Sequence, residues 1–434
     1  MPRLGSFSSN IFFNSPQSAF KLIRTLDNPN AYDVAQDDFF ANSIATNGNY
    51  VVVGSIESDA AASQNGKVYV YNSSGNLQYT IDNPSLTAPP GLGEGDQFGT
   101  AVACSDSYII AGAEREDAGG NTDTGAAYIF DITDGSLLFT LANPNPTTTE
   151  VNPNGDEFGS SVAIAESYAA VAAPNEDVNG IGDDTGWVYI FDTSDGSLVH
   201  SIENPNIDAE DEYPGDQLGG EVQTLAMNDT YTVVGSWREN TAGATGGGDS
   251  GAIHIITNST GAVTTILNPN PNGPDVGTDN FDQFGFSVDI NSNNQIIVGA
   301  IGEDIDGTNS GNAYLYELVA STWTLQGRIA NPNNYNTVNN DSFGTEVAIS
   351  DDYFAVAAID EDTASGTSSG VVYIFDIATR TLQNTIENPN AFGNVDNDRF
   401  GKVMSLSNTR LAVGVPAEDE TGADNSGKAY LYKV

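Results

Sequence analysis

The chain has 434 residues, with 13 Lys and Arg against 59 Asp and Glu, a formal net charge of −46. Such a surface repels nucleic acid and anionic lipid headgroups, which excludes both as partners, and no stretch approaches the ~18 consecutive apolar residues of a membrane-spanning helix. A single cysteine, Cys104, excludes an intramolecular disulfide framework, and His200 and His254 alone are too few for a histidine-rich metal centre.

In chain order, residues 1–19 form an arm with no later counterpart. The arm lacks a basic n-region and a long apolar run, so a secretory leader is not expected there. Its Ile11, Phe12 and Phe13, flanked by polar residues, are expected to dock on a neighbouring subunit or along the protein's own surface. Next comes "FKLIRTLDNP", Phe20 to Pro29, a strand pattern ending in Asn-Pro. From Asp38 onward an Asp-x-Phe-Gly-like core recurs at Asp96, Asp156, Asp216, Asp282, Asp341 and Asp398, every 57 to 66 residues. Each unit carries four strand signals, with alternating apolar and polar residues rich in β-branched and aromatic types. The first two form a hairpin ("FGTAVAC", "YIIAGA"), the third follows a glycine ("GKVYVY", "GVVYIF", "GKAYLY"), and the fourth ends in Asn-Pro ("LQYTIDNP", "LQNTIENP"). Asp-Gly pairs in "TDGS" and "SDGS" supply turns between the third and fourth strands.

The seventh unit stops at "KAYLYKV" without its Asn-Pro strand, while the surplus copy, Phe20–Pro29, precedes the first hairpin. A ring explains this offset, because the first strand can complete the last sheet; an open array has no need of it. The expected fold is all-β, a seven-bladed β-propeller of four-stranded blades spanning residues 20–434, its last blade closed by an N-terminal strand.

Alternating strand directions sort the connections onto two faces. Turns between strands one and two are short ("CSDSY", "IAESY"), whereas those between two and three, and between units, are long and acidic ("EREDAGGNTDT", "NEDVNGIGDDT"). Long loops on a rigid scaffold are the usual place for binding. The opening hairpin should set Asp96 opposite Glu116, and the acidic pair Glu116-Asp117 recurs at Glu176-Asp177, Glu303-Asp304, Glu361-Asp362 and Glu418-Asp419. Unit one has Ser58-Asp59 there and unit four has Glu239-Asn240. Glu116, Asp117, Glu418 and Asp419 thus represent a predicted ring of negative potential on the elaborated face. Each Asp of Asp-x-Phe-Gly is expected to accept backbone N–H bonds at the strand entry. Facing carboxylates are also candidate ligands for a hard cation such as calcium, the one cofactor expected. Asp177, Asn179, Asp183 and Asp184 in "EDVNGIGDD", with Asp304 and Asp306 in "EDIDG", are the candidate metal ligands. Trp237 and Arg238 in unit four break the repeat and form a candidate binding anchor.

The pairs "DQFG…AGA", "DEFG…AAP" and "DRFG…GVP", each followed by "GxxYxF/Y", resemble the FG-GAP repeats of integrin α-subunit propellers and their bacterial and viral relatives. The resemblance covers residues 20 to 434 and implies a seven-bladed propeller used for adhesion or protein interaction without catalysis. The family's calcium loop between the first two strands is not carried over, because "SDSY", "AESY" and "SDDY" offer too few oxygens. No Ser-His-Asp set and no phosphate-cradling glycine loop with a lysine is present. The expectation is therefore a non-enzymatic interaction module, with protein partners reached in part through residues 1–19. Its expected placement is a virion, as a decoration or tail-associated protein of a marine phage. The alternatives are a secreted or cell-surface calcium-dependent adhesin, and a propeller enzyme acting on polysaccharide.

Overall fold

In the computed structural model, the described residues are 20–29, 38–56, 65–85, 95–117, 123–146, 155–176, 184–205, 215–220, 223–239, 249–270, 281–333, 335, 337–390, 395–419 and 425–434. Among them are 28 strands and no helix, arranged as seven sheets of four antiparallel strands. Six blades follow the chain, as in blade 1: Phe40–Thr46, Tyr50–Ser55, Lys67–Asn72 and Leu77–Asp82. The seventh joins both ends: Val403–Leu406, Arg410–Val415 and Lys428–Lys433 are completed by Lys21–Asp27. The pairing sets Lys21 against Lys433 and Asp27 against Lys428, and the Phe20 amide donates to the Lys433 carbonyl at 2.7 Å. The expected closure is thus present, in the expected blade.

Burial follows strand position. Second strands such as Tyr353–Ala358 are buried along nearly their whole length, because their two faces pack on two neighbouring blades. Outermost strands such as Leu77–Asp82 and Leu382–Glu387 turn one residue, Ile81 or Ile386, fully inward and leave the rest at least partly exposed. The core is divided into seven clusters, one per junction between blades. The cluster that seals the ring brings Leu26, Val403 and Leu431 of blade 7 against Phe40, Ile44 and Tyr69 of blade 1.

The Asp-x-Phe-Gly aromatic anchors each junction. Phe40, Phe98, Phe158, Phe284, Phe343, Phe400 and the variant Leu218 are all 0% exposed, and burying a phenylalanine contributes ~1.5–3 kcal/mol. Phe98 packs edge-on to Tyr128 of the third strand at 5.9 Å, as Phe400 does to Tyr430 at 5.8 Å. The backbone of this aromatic lies against the glycine that opens the third strand of the preceding blade. At the ring seam that glycine is Gly427, with φ +77°, and a Cβ there would stand 2.0 Å from the Phe40 carbonyl oxygen. Only glycine fits such a contact.

The innermost strands surround an axial channel of about 230 Å³ bordered by Thr46, Cys104, Asp289 and Met404. Burial pushes the Cys104 thiol up to about 12, so it stays a thiol rather than a reactive thiolate. Asp289 accepts the Ile349 amide of the next blade at 2.7 Å, which makes it a tie between blades.

Candidate functional site

The acidic positions on the elaborated face assemble into one repeated unit. The Asn of each Asn-Pro ends an outermost strand, and its Nδ2 donates to the Asp that opens the next blade. The bond occurs at all seven junctions: Asn28–Asp38, Asn83–Asp96, Asn143–Asp156, Asn204–Asp216, Asn268–Asp282, Asn331–Asp341 and Asn388–Asp398, at 2.7 to 3.3 Å. The Asn-Pro motif and the Asp-x-Phe-Gly motif are therefore two halves of one joint between blades.

Behind the joints that open blades 2 to 7 lies the glutamate that follows the second strand. Glu116, Glu176, Glu303, Glu361 and Glu418 are buried and accept the hydroxyl of a third-strand tyrosine. The bonds are 2.7 Å from Tyr189 to Glu176 and 2.6 Å from Tyr373 to Glu361 and from Tyr430 to Glu418; Tyr128 and Tyr314 serve Glu116 and Glu303. Blade 4 departs from the pattern. Its Glu239 is buried too, but His254 occupies the tyrosine position, fully buried with Nδ1 2.9 Å from Thr265 Oγ1. Burial pushes that imidazole down to about 3, so it is neutral.

Burial and mutual repulsion move these carboxyls upward. Asp96 is pushed to about 6 by burial and by Glu116, and Asp282 to about 7 by burial and by Glu303. Burial raises Glu176 and Glu418 to about 7 and Glu361 to about 8, against the hydroxyl bonds that lower them. Neighbouring buried carboxyls do not both ionise cheaply, so at the Asp96–Glu116 and Asp282–Glu303 joints burial and repulsion favour the protonated form of the aspartate.

The residue after the glutamate closes the loop between strands two and three. Asp117 accepts the Asp123 amide at 3.1 Å, Asp362 the Ser368 amide at 2.9 Å, and Asp419 the Asn425 amide at 2.9 Å. Burial divides the four residues named for the expected ring of negative potential. Glu116 and Glu418 are interior groups, while Asp117 and Asp419 are loop ties beside them. Asp96 lies near enough to Glu116 for the two carboxyls to repel.

Trp237 is also an interior residue, packed edge-on to Phe286 of blade 5 at 5.6 Å. Its ring holds two blades together and is not offered as an anchor, whereas Arg238 is exposed, 4.5 Å over that same ring. Of the candidate metal ligands, Asp177, Asn179 and Asp183 lie outside the described residues. Asp184 adopts φ +61° and its carbonyl accepts the Gln217 amide at 3.1 Å. Asp306 is paired with Arg328, and the Asp304 carboxylate accepts the Asn309 amide. Among the described residues no group of three or more His, Cys, Asp and Glu is placed to hold a metal ion. The short turns where the family resemblance would put calcium do not fit it either. Asn47 and Asn228 spend their Oδ1 on amides of their own turns, and Glu166 accepts two amides of the neighbouring turn.

Between blades 5 and 6 a cleft of about 190 Å³ is bordered by Asn333, Tyr335, Glu361, Val371, Leu382 and Glu387. The tyrosine–glutamate and asparagine–aspartate bonds escaped the sequence reading, although the signal existed: each tyrosine follows its glutamate by 11 to 13 residues.

A search of the curated proteins finds no match. Among solved structures, the chain is similar to the β-propeller domain of Myceliophteria thermophila Cps50 (Swd1), with a TM-score of 0.53 and 11% identity, covering 91% of this chain and 97% of that one. That likeness establishes the propeller fold alone. The FG-GAP repeat profile matches residues 30–71, 84–130, 152–191, 277–316, 323–375 and 393–432. The unmatched unit is the one in which Leu218 and His254 replace the recurring Phe and Tyr. With the profile matching more than half of its length in six separate copies, the chain belongs to the FG-GAP repeat family.

Proposed function

We propose that the protein is a non-catalytic interaction scaffold that offers its elaborated face to a protein partner. The observation that supports this reading is the repetition of the acidic joint. Catalysis needs a constellation at one place, whereas here the buried Asp and Glu recur from blade to blade with the same Asn and Tyr partners. Groups used in this way hold loops in position, and loops on a rigid frame are suited to recognition. FG-GAP propellers suggest the same use.

The finer reading is a structural component of a virus particle in saline water, as a decoration or tail-associated protein. A net charge of −46 supports it, because self-repulsion of this size is relieved where the Debye length falls to ~3 Å near 1 M salt. Sedimentation of material from the native source tests the reading. The protein should travel with particles in high salt. Recovery only as a free 45.5 kDa chain at every salt concentration would contradict it.

A further inference from the structure

We propose that the cleft between blades 5 and 6 binds a primary ammonium on an aliphatic stem, the lysine side chain of a partner protein, with Glu361 and Glu387 as its counter-ions. The protein contains its own precedent in blade 7. There Lys428 opens the third strand, stands opposite Asp27 in the register, and places Nζ 3.5 Å from Oε1 of the buried Glu418. Blade 6 has the same frame: Glu361 replaces Glu418, Tyr373 replaces Tyr430, and Glu387 takes the place of Asp27. The lysine position, however, is Val371, opposite Glu387. The two acids remain and the intramolecular cation is replaced by an apolar wall.

The hydrogen bonds of Glu361 point the same way. In blades 3 and 5 the buried glutamate takes a second donor from the Asn after Asn-Pro: Asn145 to Glu176 at 2.7 Å and Asn270 to Glu303 at 2.8 Å. In blade 6 the equivalent Asn333 donates to Asp341 instead, at 2.8 Å. Glu361 is 3% exposed, borders the cleft, and its Oε2 has no hydrogen-bond partner among the described residues. A buried acceptor without a donor is costly, and an incoming N–H⁺ group would satisfy it.

The walls select the rest of the ligand. Val371, Leu382 and the 59% exposed Tyr335 border the opening with apolar surface suited to methylene groups. A hard divalent cation seeks six or more oxygens, and among the described residues no three acids here are placed to hold one. Asp362, also at the cleft, is already engaged by the Ser368 amide.

That the ammonium belongs to a protein rests on the scaffold reading; the site itself is tested without that assumption. The full chain is titrated calorimetrically with n-butylammonium chloride, with n-butanol and with calcium chloride, in 0.15 M NaCl at pH 8.5 and pH 6. Butylammonium should bind at one site, at least tenfold more tightly than butanol. Its affinity should fall at pH 6, since burial, Asp341 and Glu387 hold the Glu361 carboxyl up to about 8 against its Tyr373 bond. Glu361→Gln should lose at least tenfold. Val371→Lys should abolish binding and raise the melting temperature by supplying the ammonium internally, a gain that requires a folded protein. Unchanged binding in both variants, absence of binding to wild type, or displacement of butylammonium by equimolar calcium would overturn the proposal. Sedimentation with particles would be untouched by such a failure.

Discussion

At Glu176 the carboxylate has left water, and its partners are a tyrosine hydroxyl and an asparagine amide. Removing the first, in Tyr189→Phe, leaves a buried acceptor short of a donor and should cost ~1–3 kcal/mol in denaturant unfolding; an unchanged midpoint would show that the bond is not formed. The raised carboxyls also fix the direction of pH dependence. Their folded values, about 6 for Asp96, about 7 for Asp282, Glu176 and Glu418, and about 8 for Glu361, lie above the ordinary carboxylate range. A raised folded value contributes stability that is complete below the unfolded value and is lost as pH rises through the folded one. The melting temperature should therefore be higher at pH 5.5 than at pH 8.5 in fixed salt, and a fall over that interval on acidification would contradict the joint. The acidic pairs were legible in the sequence, but their role was not. Whether Glu116 faces water or Tyr128 depends on how the second and third strands align, which a residue pattern does not state. Trp237 was conspicuous as the one tryptophan beside an arginine, and only the neighbouring Phe286 shows that it is core.

Individual strands were read easily where they are buried on both faces, because apolar runs such as "YIIAGA" and "YFAVAA" permit little else. Outermost strands were legible through their Asn-Pro endings, and this made the displaced copy at Phe20–Pro29 visible. The glycine before each third strand is visible in the sequence, while its cause, the backbone of the next blade's phenylalanine, lies beyond the intervening fourth strand. Gly427→Ala should accordingly destabilise by more than ~1 kcal/mol, since φ +77° and the 2.0 Å approach to Phe40 both resist a methyl group. Leu26, almost fully buried in the seam cluster, should cost ~2–5 kcal/mol on replacement by alanine. A neutral Leu26→Ala would mean that the N-terminal strand does not contribute to the core.

For the molecule as a whole, two properties are available from the sequence alone: a net charge of −46 and the count of seven units. The charge predicts a melting temperature that rises with NaCl, as the Debye length shrinks from ~30 Å at 0.01 M to ~3 Å at 1 M; a salt-independent melt would oppose it. The count predicts a ring only if the first strand joins the last three, and the two-faced disc follows from that union. A paired substitution tests it most directly. Lys21 and Lys433 are exposed register partners at the seam, within the span a disulfide bridges. Lys21→Cys combined with Lys433→Cys should form an intramolecular disulfide on mild oxidation, seen as a linked peptide by mass spectrometry and as a reducible rise in melting temperature. Oxidation that yields only intermolecular dimers, or leaves both thiols free in the folded monomer, would contradict closure of the ring.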